Sequence, residues 1–529
     1  MLSLRSTLFA VFLAALAPLR PAAAAEPAFD IWEYQVEGNS VLGVEAIERA
    51  VQPHLGPGLG MASVEAARTA LEAAYQQAGY LTVLVDIPEQ RVDDGVVRLA
   101  VLEGRLSEVY VSGSRYHALG AIRRALPALA PGVVPNFTEA QGQLAALNRG
   151  DDRRVSPVVK PGRLPGTVDM DLQVTDRLPW GGQVELNNQH AADTTELRAS
   201  ATLRYDNLFQ QDHSLALTLQ GAPGAPEQSR VAVANYTIPL PNSEGAGDAW
   251  ALSYTVSNSN VETLGGTQAI GNGHTLGLRR HHNAALGGWT HTWSFGADLK
   301  LLRDRIAFGN DALETPIRYL PFQAAYAGQW GEGRDSLQFN ASLTAAWRRI
   351  LEREVDCAGT RQDQFDCKTQ GASGSFGVFR ADLRWGQPLG DGTLGLRLGG
   401  QLASGPQVSA EQYSLGGADT VRGYLEGEVS ADHAVLGSLE WRGPNLAANG
   451  AGGGWTDARP LLFVDLGRGY LAQPSAGVAA HPSLASGGIG LRLSAPSLEG
   501  AMDVAWPAKT TPNTTAGDAH VHVRLVARY

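Results

Sequence analysis

The feature that most constrains the fold is a period of two in side-chain polarity, which begins near Trp180 and continues to the C-terminus. In residues 197–205, LRASATLRY, the leucines, alanines and tyrosine share one face, while the arginines, serine and threonine share the other. The last ten residues, HVHVRLVARY, alternate in the same way. Successive side chains of a β-strand point to opposite faces of a sheet, so these segments are predicted strands with one apolar and one polar face.

About sixteen such segments follow one another, an even number as in single-chain bacterial barrels. They begin near residues 181, 196, 213, 229, 248, 273, 289, 315, 334, 374, 392, 434, 459, 484, 499 and 519. A lipid exterior and a water-filled interior require this alternation, so residues 180–529 are predicted to form a 16-stranded antiparallel transmembrane β-barrel. A soluble all-β sandwich would also alternate, although it would turn its charged face to bulk water.

The N-terminus has the pattern of an export signal. Arg5 precedes a short apolar core, Leu8–Ala17, and Ala23–Ala25 offers small residues for cleavage. A signal peptide over residues 1–25 is therefore predicted, which places the mature chain outside the cytoplasm. The formal net charge of -11 argues against a dedicated nucleic-acid binder, because such a protein needs a basic face.

The two cysteines, Cys357 and Cys367, lie close together in a polar segment between the ninth and tenth predicted strands. In an exported chain such a pair is predicted to form a disulfide. Two free thiols are the alternative. A metal site is less favoured because the segment contains no histidine.

Residues 26–179 have a different pattern, in which strands and helices follow in the order β-α-α-β-β and the order then repeats. A repeat of about 75 residues with one element order predicts two tandem α+β modules. The first module carries the segment GYLTVLVDIPEQRVDDGVVRLAVLEGRL. This segment resembles the first polypeptide-transport-associated (POTRA) domain of two-partner secretion transporters, including Pro88, Glu89 and Gln90.

The resemblance implies POTRA 1 over residues 26–104 and POTRA 2 over residues 105–179. Such modules expose sheet edges to which an extended client adds as a strand. A rigid spacer would show the same sequence pattern. Family members often carry a plug helix before POTRA 1, whereas only about five residues separate the predicted cleavage site from the first strand here, so no plug is expected.

A glycine-rich segment, residues 405–433, connects the eleventh and twelfth predicted strands without predicted regular structure. Its glycines, including Gly416 and Gly417, would let the segment turn back into the barrel, carrying Arg422 inside. A buried guanidinium needs a counter-charge. In PLLFVDLGRG, residues 460–469, alternation directs Asp465 to the interior, so a bidentate Arg422–Asp465 pair is expected.

SLGGADTVRGY, residues 414–424, is similar to the sixth-loop motif of the outer-membrane insertase and transporter superfamily, whose core is VRGY or VRGF. FVDLG, residues 463–467, looks like the inner-wall F-x-D-x-G motif of that superfamily. The resemblance implies that Arg422 and Asp465 meet and anchor the folded-in loop. The residues matching the surrounding motifs are Val421, Gly423, Tyr424, Phe463 and Gly467.

The chain is identified as a member of the two-partner secretion transporters (TpsB type). The resemblance implies that the POTRA modules capture an unfolded TpsA-type exoprotein by its N-terminal secretion domain, in the periplasm of a Gram-negative cell. The barrel, held in outer-membrane lipid, would then translocate it. The terminal Tyr529 is expected to be read by the barrel-assembly machinery during insertion.

Three other functions stay open on the sequence: an insertase for other barrels, a solute porin, and an adhesive or structural barrel. The sequence offers no G-x-S-x-G elbow and no nucleotide-binding context. We therefore expect no enzymatic activity, no cofactor and no metal site.

Overall fold

The computed structural model describes residues 28–529, apart from residues 193, 241–246, 259–261, 265–266, 270–271, 309–310, 358, 448–453 and 475–476. The predicted signal peptide, residues 1–25, lies outside the described residues. The chain forms two compact units. The first contains the described residues up to Ser114 together with Ile122–Thr175, and the second contains Arg115–Ala121 together with Asp176–Tyr529. Within the described residues, no helix has the length and apolar character needed to cross a membrane.

The first unit contains two α+β modules. In the first, helices Val44–Val51 and Met61–Gln77 accompany a three-stranded sheet whose strand order is Glu33–Glu37, Val96–Glu103 and Val83–Asp86. The side chains that recur every three or four residues along the longer helix pack against this sheet and are fully buried, namely Val64, Ala67, Leu71 and Tyr75. A small additional sheet pairs Phe29–Ile31 with Gly56–Leu59, which the sequence did not predict.

The second module repeats the arrangement. Its sheet has the strand order Arg105–Ser112, Thr167–Asp176 and Arg153–Pro161, and its helices are Leu119–Arg124 and Phe137–Leu147. Asn136 caps the longer helix, because its side-chain oxygen accepts hydrogen bonds from the backbone N–H groups of Thr138 and Glu139. The prediction of α+β modules ahead of a barrel is confirmed.

The second unit is a closed antiparallel barrel of sixteen strands, numbered here in chain order. The strands are Trp180–Asn187, Arg198–Leu208, His213–Gly221, Arg230–Pro239, Ala249–Asn258, Gly273–Leu286, Trp289–Phe308, Asp311–Tyr319 with Phe322–Glu332, Asp335–Ala346, Phe376–Leu389, Gly392–Ala403, His433–Arg442, Asp457–Tyr470, Ser483–Ala495, Leu498–Pro507 and His520–Arg528. Strand 8 has two segments because it is interrupted at Leu320 and Pro321, and proline cannot donate to the ladder. Strand 16 closes the barrel by pairing with strand 1.

The sixteen-stranded barrel agrees with the prediction. Alternation also places the faces as expected in strand 13, where Leu462, Val464 and Leu466 are exposed on the outer surface while Phe463 and Asp465 are buried inside. An outer surface rich in exposed leucine, valine and tryptophan suits contact with lipid.

Two of the connections that follow odd-numbered strands are long. We call residues 347–375, between strands 9 and 10, loop 5, and residues 404–432, between strands 11 and 12, loop 6. Loop 5 contains a short hairpin, Glu354–Cys357 with Thr360–Asp363, and a helix, Gln364–Lys368. Loop 6 contains the hairpin Tyr413–Leu415 with Val429–Ala431, so it is more regular than the sequence suggested.

Candidate functional site

Loop 6 turns at glycines whose backbone conformations are left-handed. Gly416, Gly417 and Gly423 have φ angles of 103°, 97° and 90°. A β-carbon on Gly416 would lie 2.5 Å from the carbonyl oxygen of Leu425, and one on Gly417 would lie 2.1 Å from the carboxyl group of Glu426. These positions therefore require glycine, and the turn between the two hairpin strands presents Arg422 to the barrel wall.

The Arg422 side chain binds Asp465 of strand 13 through two parallel hydrogen bonds. Arg422 Nε donates to Asp465 Oδ2 at 2.7 Å, and Nη2 donates to Oδ1 at 2.9 Å. The backbone N–H of Arg422 donates to Oδ2 as well, at 3.1 Å. Asp465 is fully buried and Arg422 nearly so. The geometry is the bidentate arrangement in which a guanidinium binds a carboxylate most strongly.

Three further side chains complete what we call the Arg422 network, made of Arg422, Ser438, Glu440, Asp465 and Asp503. Arg422 Nη1 lies 3.1 Å from Glu440 Oε2 and 3.7 Å from Asp503 Oδ2. Ser438 Oγ donates to Asp465 Oδ1 at 2.6 Å. Loop 6 is therefore bound to strands 12, 13 and 15 by one cation.

The two outer carboxylates of the network have arginine partners of their own. Arg442 Nε donates to Glu440 at 2.8 Å, and Arg492 donates to both oxygens of Asp503 at 2.6 and 2.8 Å. Three cations thus balance three anions. Burial alone would lower the pKa of Arg422, but its hydrogen bond with Asp465 and the charges of Asp465, Glu440 and Asp503 raise the pKa above its ordinary value.

The residues flanking Arg422 and Asp465 provide close packing. The guanidinium carbon of Arg422 lies 3.5 Å from the centre of the Phe463 ring, a cation–π contact. A β-carbon on Gly467 would lie 2.8 Å from Val421 Cγ2, so strand 13 admits the loop there only because it has glycine. Val421 and Tyr424 are fully buried in a cluster with Leu415, Leu436 and Leu484.

Hydrogen bonds beside Arg422 extend the attachment to strands 14 and 16. The Tyr424 hydroxyl lies 3.0 Å from the carbonyl oxygens of Ala485 and Lys509. The backbone N–H of Gly423 donates to His522 Nε2 at 2.9 Å. The structure therefore brings together every residue of the VRGY and F-x-D-x-G motifs at one place on the inner wall.

Arg422 and Asp465 lie within a stretch of the chain that matches a known family. Residues 29–104 match the POTRA domain of the ShlB type, and residues 166–493 match the family described as haemolysin secretion/activation protein ShlB/FhaC/HecB. The second match covers more than half of the chain, including Arg422 and Asp465.

The chain belongs to the ShlB/FhaC/HecB family.

A curated relative is similar to this chain over most of its length, and two solved structures share its fold. The outer membrane transporter CdiB of Dickeya dadantii (strain 3937) is 23% identical over 454 residues, which cover 82% of this chain and 74% of that protein. The structure of CdiB from Escherichia coli covers 97% of this chain and 93% of its own, at 17% identity and a TM-score of 0.62. BamA from Haemophilus ducreyi lacking POTRA domains 1–3 covers 95% of this chain and 100% of its own, at 14% identity and a TM-score of 0.56.

As a ShlB/FhaC/HecB protein, the chain is an outer-membrane transporter of two-partner secretion with periplasmic POTRA domains. The chain enters strand 1 from the periplasmic side, so the connections after odd-numbered strands face the cell exterior. Loops 5 and 6 are therefore external connections, and loop 6 folds back into the barrel.

Loop 5 of this ShlB/FhaC/HecB chain contains the two cysteines, which are joined by a disulfide with Cα atoms 5.7 Å apart. Beside them, the side-chain amide of Gln364 exchanges two hydrogen bonds with the backbone of Arg318 in strand 8, each of 2.9 Å. Phe365 packs against Tyr319 and Phe376 inside the mouth of the barrel. The Gln364 side chain thus attaches loop 5 to strand 8 by the pair of hydrogen bonds that a neighbouring strand would make.

In the first module, Gln90 of the Pro88–Gln90 motif binds a strand backbone through its side-chain amide, as Gln364 does in loop 5. The side chain of Gln90 accepts from the N–H of Arg98 at 2.7 Å and donates to the carbonyl oxygen of Arg98 at 2.8 Å. Strand Val83–Asp86 has ended by this point, so Gln90 continues the sheet for one further residue. Among the described contacts, no hydrogen bond involves the side chains of Pro88 or Glu89.

Tyr529, which follows strand 16, forms backbone hydrogen bonds with Gly182 of strand 1.

Sequence reasoning missed Ser438, Glu440, Asp503 and His522. Alternation would have directed each of them to the interior, as it did Asp465. Alternation could not show that these side chains lie at the same level along the barrel axis. That level depends on the register between neighbouring strands, for example the pairing of Ser438 with Asp465. In the part of the chain that is described, no group of three or more His, Cys, Asp or Glu side chains has the arrangement of a metal site.

Proposed function

We propose that this transporter captures an unfolded TpsA-type exoprotein by its N-terminal secretion domain on the POTRA modules, and passes it through the barrel to the cell surface. The proposed organisation is a signal peptide at residues 1–25, POTRA 1 at 26–104, POTRA 2 at 105–179 and the barrel at 180–529, with the in-folded loop at 405–433. The proposal involves no enzymatic step and no cofactor. The element order of the second module supports its assignment as a POTRA domain.

The observation that carries the capture step is the edge strand Val83–Asp86. It pairs with Val96–Glu103 on one side, and no other described strand pairs with it on the opposite side. Leu84 on this strand and Leu102 beside it form an exposed apolar pair, 61% and 51% accessible. An edge of this kind, without lysine or proline, accepts an added strand through its backbone and holds alternate side chains by apolar contact.

Passage through the barrel requires loop 6 to move, because it lies in the lumen. The attachment at Arg422 centres on one cation whose hydrogen bonds can break and re-form, and the neighbouring contacts of Gly423 and Tyr424 are released with it. We propose that this contact anchors the loop between export events, with Gly416 and Gly417 as hinges. No ATP is available at the outer membrane, so folding of the exoprotein outside supplies the direction of movement.

The capture step is tested by Leu84→Lys. This substitution places a charge on the open edge strand, at a side chain that already faces solvent. We expect export of the partner exoprotein to fall by about tenfold, which corresponds to a loss of about 1.4 kcal/mol of binding free energy. Leu164→Lys, at an equally exposed leucine of the second module, is the matched control and should export normally. Equal export by both variants would contradict capture at this edge.

Deletion of residues 30–176 separates the transporter from a solute porin. The deleted form should lose export, whereas a porin should continue to conduct small solutes and show no dependence on these residues. Normal export by the deleted form would remove the POTRA modules from the mechanism.

A further inference from the structure

Loop 6 has a second buried attachment to the barrel wall, made by strands that precede the loop in the chain. Glu411, at the end of the turn Ser409–Glu411, is only 1% exposed. Its Oε1 accepts from Lys300 Nζ of strand 7 at 2.6 Å and from the Tyr319 hydroxyl of strand 8 at 2.7 Å. We call this cluster, with Arg380 and Gln401, the Glu411 attachment.

The backbone of Glu411 is bound as firmly as its side chain. Its carbonyl oxygen accepts from Arg380 Nη2 of strand 10 and from Gln401 Nε2 of strand 11, each at 3.0 Å. The same Gln401 nitrogen donates to the carbonyl oxygen of Asp432 at 3.0 Å. Gln401 therefore ties the beginning and the end of loop 6 to one position on the wall.

Asp432 reinforces this connection at the end of the loop. Its Oδ1 accepts from the backbone of Gln407 at 2.8 Å and from Gln412 Nε2 at 3.1 Å, while Oδ2 accepts from the backbone of Ala472 at 2.9 Å. Val408, beside Glu411, packs with Phe365 of loop 5 and Phe376 in a buried apolar cluster. The base of loop 6 is thus part of a packed layer that includes the disulfide-containing loop 5.

The two attachments share no barrel strand. The Glu411 attachment uses strands 7, 8, 10 and 11, and the Arg422 network uses strands 12, 13 and 15. Between them lie the left-handed glycines Gly416 and Gly417, where the chain has the greatest freedom to rotate. No hydrogen-bond partner of Arg422 is also a partner of Glu411. Arg397 of strand 11 additionally binds the tip, because it donates to the carbonyl oxygen of Asp419, so this bond must break together with those of Arg422 when the tip moves.

We infer that Glu411 is the fixed point about which loop 6 pivots when Arg422 leaves Asp465, so that the tip of the loop swings while its base stays on strands 7–11. Glu411 is thus a positioning residue for transport. The inference rests on the proposed opening of the Arg422 network. Its test requires no exoprotein, so it can fail independently of the export mechanism.

The test uses two single-cysteine reporters with matched chemistry. Val421→Cys reports on the tip and Val408→Cys reports on the base, and both valines are at most 1% exposed. The two natural cysteines are bonded to each other, so the introduced thiol is the one that a membrane-impermeant maleimide can label on intact cells. Each reporter is combined with Arg422→Ala and with Glu411→Gln.

In the Arg422→Ala background we expect the labelling rate at position 421 to rise on the order of tenfold or more, with the rate at position 408 within about twofold of the parent. In the Glu411→Gln background the labelling rate at position 408 should rise, while the rate at position 421 stays within about twofold of the parent. If both positions become reactive together in either background, the loop moves as one body and the inference is wrong.

A charge-compensated variant distinguishes positioning from general damage. Glu411→Gln with Lys300→Met removes both charges of the pair, so protection at position 408 should return toward that of the parent. Additive loss of protection in the double variant would overturn the role of this pair. If Glu411→Gln does not assemble, Tyr319→Phe is a milder second test, because it keeps the ring and removes the hydroxyl that donates to Glu411. An unchanged labelling rate at position 408 in this variant would count against the attachment.

Discussion

At the scale of single residues, the Arg422 network depends on the shape of a guanidinium as much as on its charge. Lysine at this position would keep the cation but could not form two parallel bonds to Asp465 or lie flat on Phe463. Breaking a buried pair by removing one partner costs about 3–5 kcal/mol, and water in the lumen reduces that figure.

We therefore expect Arg422→Ala to lower export strongly and Arg422→Lys to lower it by an intermediate amount. Export is measured as exoprotein in the medium, and the heat-modifiable mobility of the barrel shows that each variant is inserted. Normal export by Arg422→Ala would contradict an anchoring role for this contact.

Gly467 makes the close approach of loop and wall possible. Gly467→Ala places a methyl group against Val421, and overpacking of this kind costs about 1–3 kcal/mol. The temperature at which the folded band disappears in semi-native electrophoresis should fall. Gly487→Ala on strand 14, whose β-carbon would have its nearest neighbour at 3.5 Å, is the matched control and should leave that temperature unchanged.

The Glu411 attachment also predicts a dependence on pH. Burial alone would raise the pKa of Glu411, but the charges of Lys300 and Arg380 outweigh it and hold the pKa below its ordinary value of 4.5. A carboxyl group with a lowered pKa stabilises the folded form above its ordinary pKa, and that contribution is lost as the pH falls through the lowered value.

Hydrogen exchange over residues 405–412, corrected for intrinsic rates, should accordingly be constant from about pH 7 to about pH 5 and increase only below about pH 4.5. Glu411→Gln should abolish the acid-dependent increase. An onset near neutral pH would show that another group controls this segment.

At the scale of secondary-structure elements, the sequence predicted the barrel strands well because their period of two is imposed by lipid on one face and water on the other. Each predicted start lies within four residues of the observed one. The largest difference is in strand 8, which starts at Asp311 and not near residue 315. The hairpin of loop 6 and the helix of loop 5 were not predicted, because tertiary contacts such as Gln364 with Arg318 stabilise them.

The disulfide belongs to this scale as well, because it joins the hairpin of loop 5 to the short helix that carries Gln364 and Phe365. Cys357→Ser should loosen loop 5 and raise its cleavage by external protease, while the barrel stays inserted. Mass mapping of the parent should show the Cys357–Cys367 bridge, and two alkylatable thiols in the mature protein would refute it.

At the scale of the whole molecule, the sequence predicted the class of fold and the Arg422–Asp465 motif because both have short, local signatures. It could not predict which other charges surround Arg422, since Glu440, Asp503 and His522 come from strands far apart in the chain. The Glu411 attachment was missed for the same reason, because Lys300 and Glu411 are 111 residues apart.

The closing pair of strands gives a prediction about assembly. Strand 16 pairs with strand 1 only over Arg524–Arg528, and Tyr529 adds a further pair of backbone hydrogen bonds with Gly182. Its side chain is exposed, and we propose that the barrel-assembly machinery recognises it during insertion. Deleting Tyr529 should lower the amount of heat-modifiable barrel in the outer membrane, whereas an unchanged amount would exclude this role.

The disulfide of loop 5 also imposes an order of events during biogenesis. Thiol-oxidising enzymes work in the periplasm, while loop 5 ends on the far side of the membrane. We therefore expect the bond to form while the newly exported polypeptide still awaits insertion, so a cell without periplasmic oxidase should deliver the transporter to its membrane with loop 5 reduced.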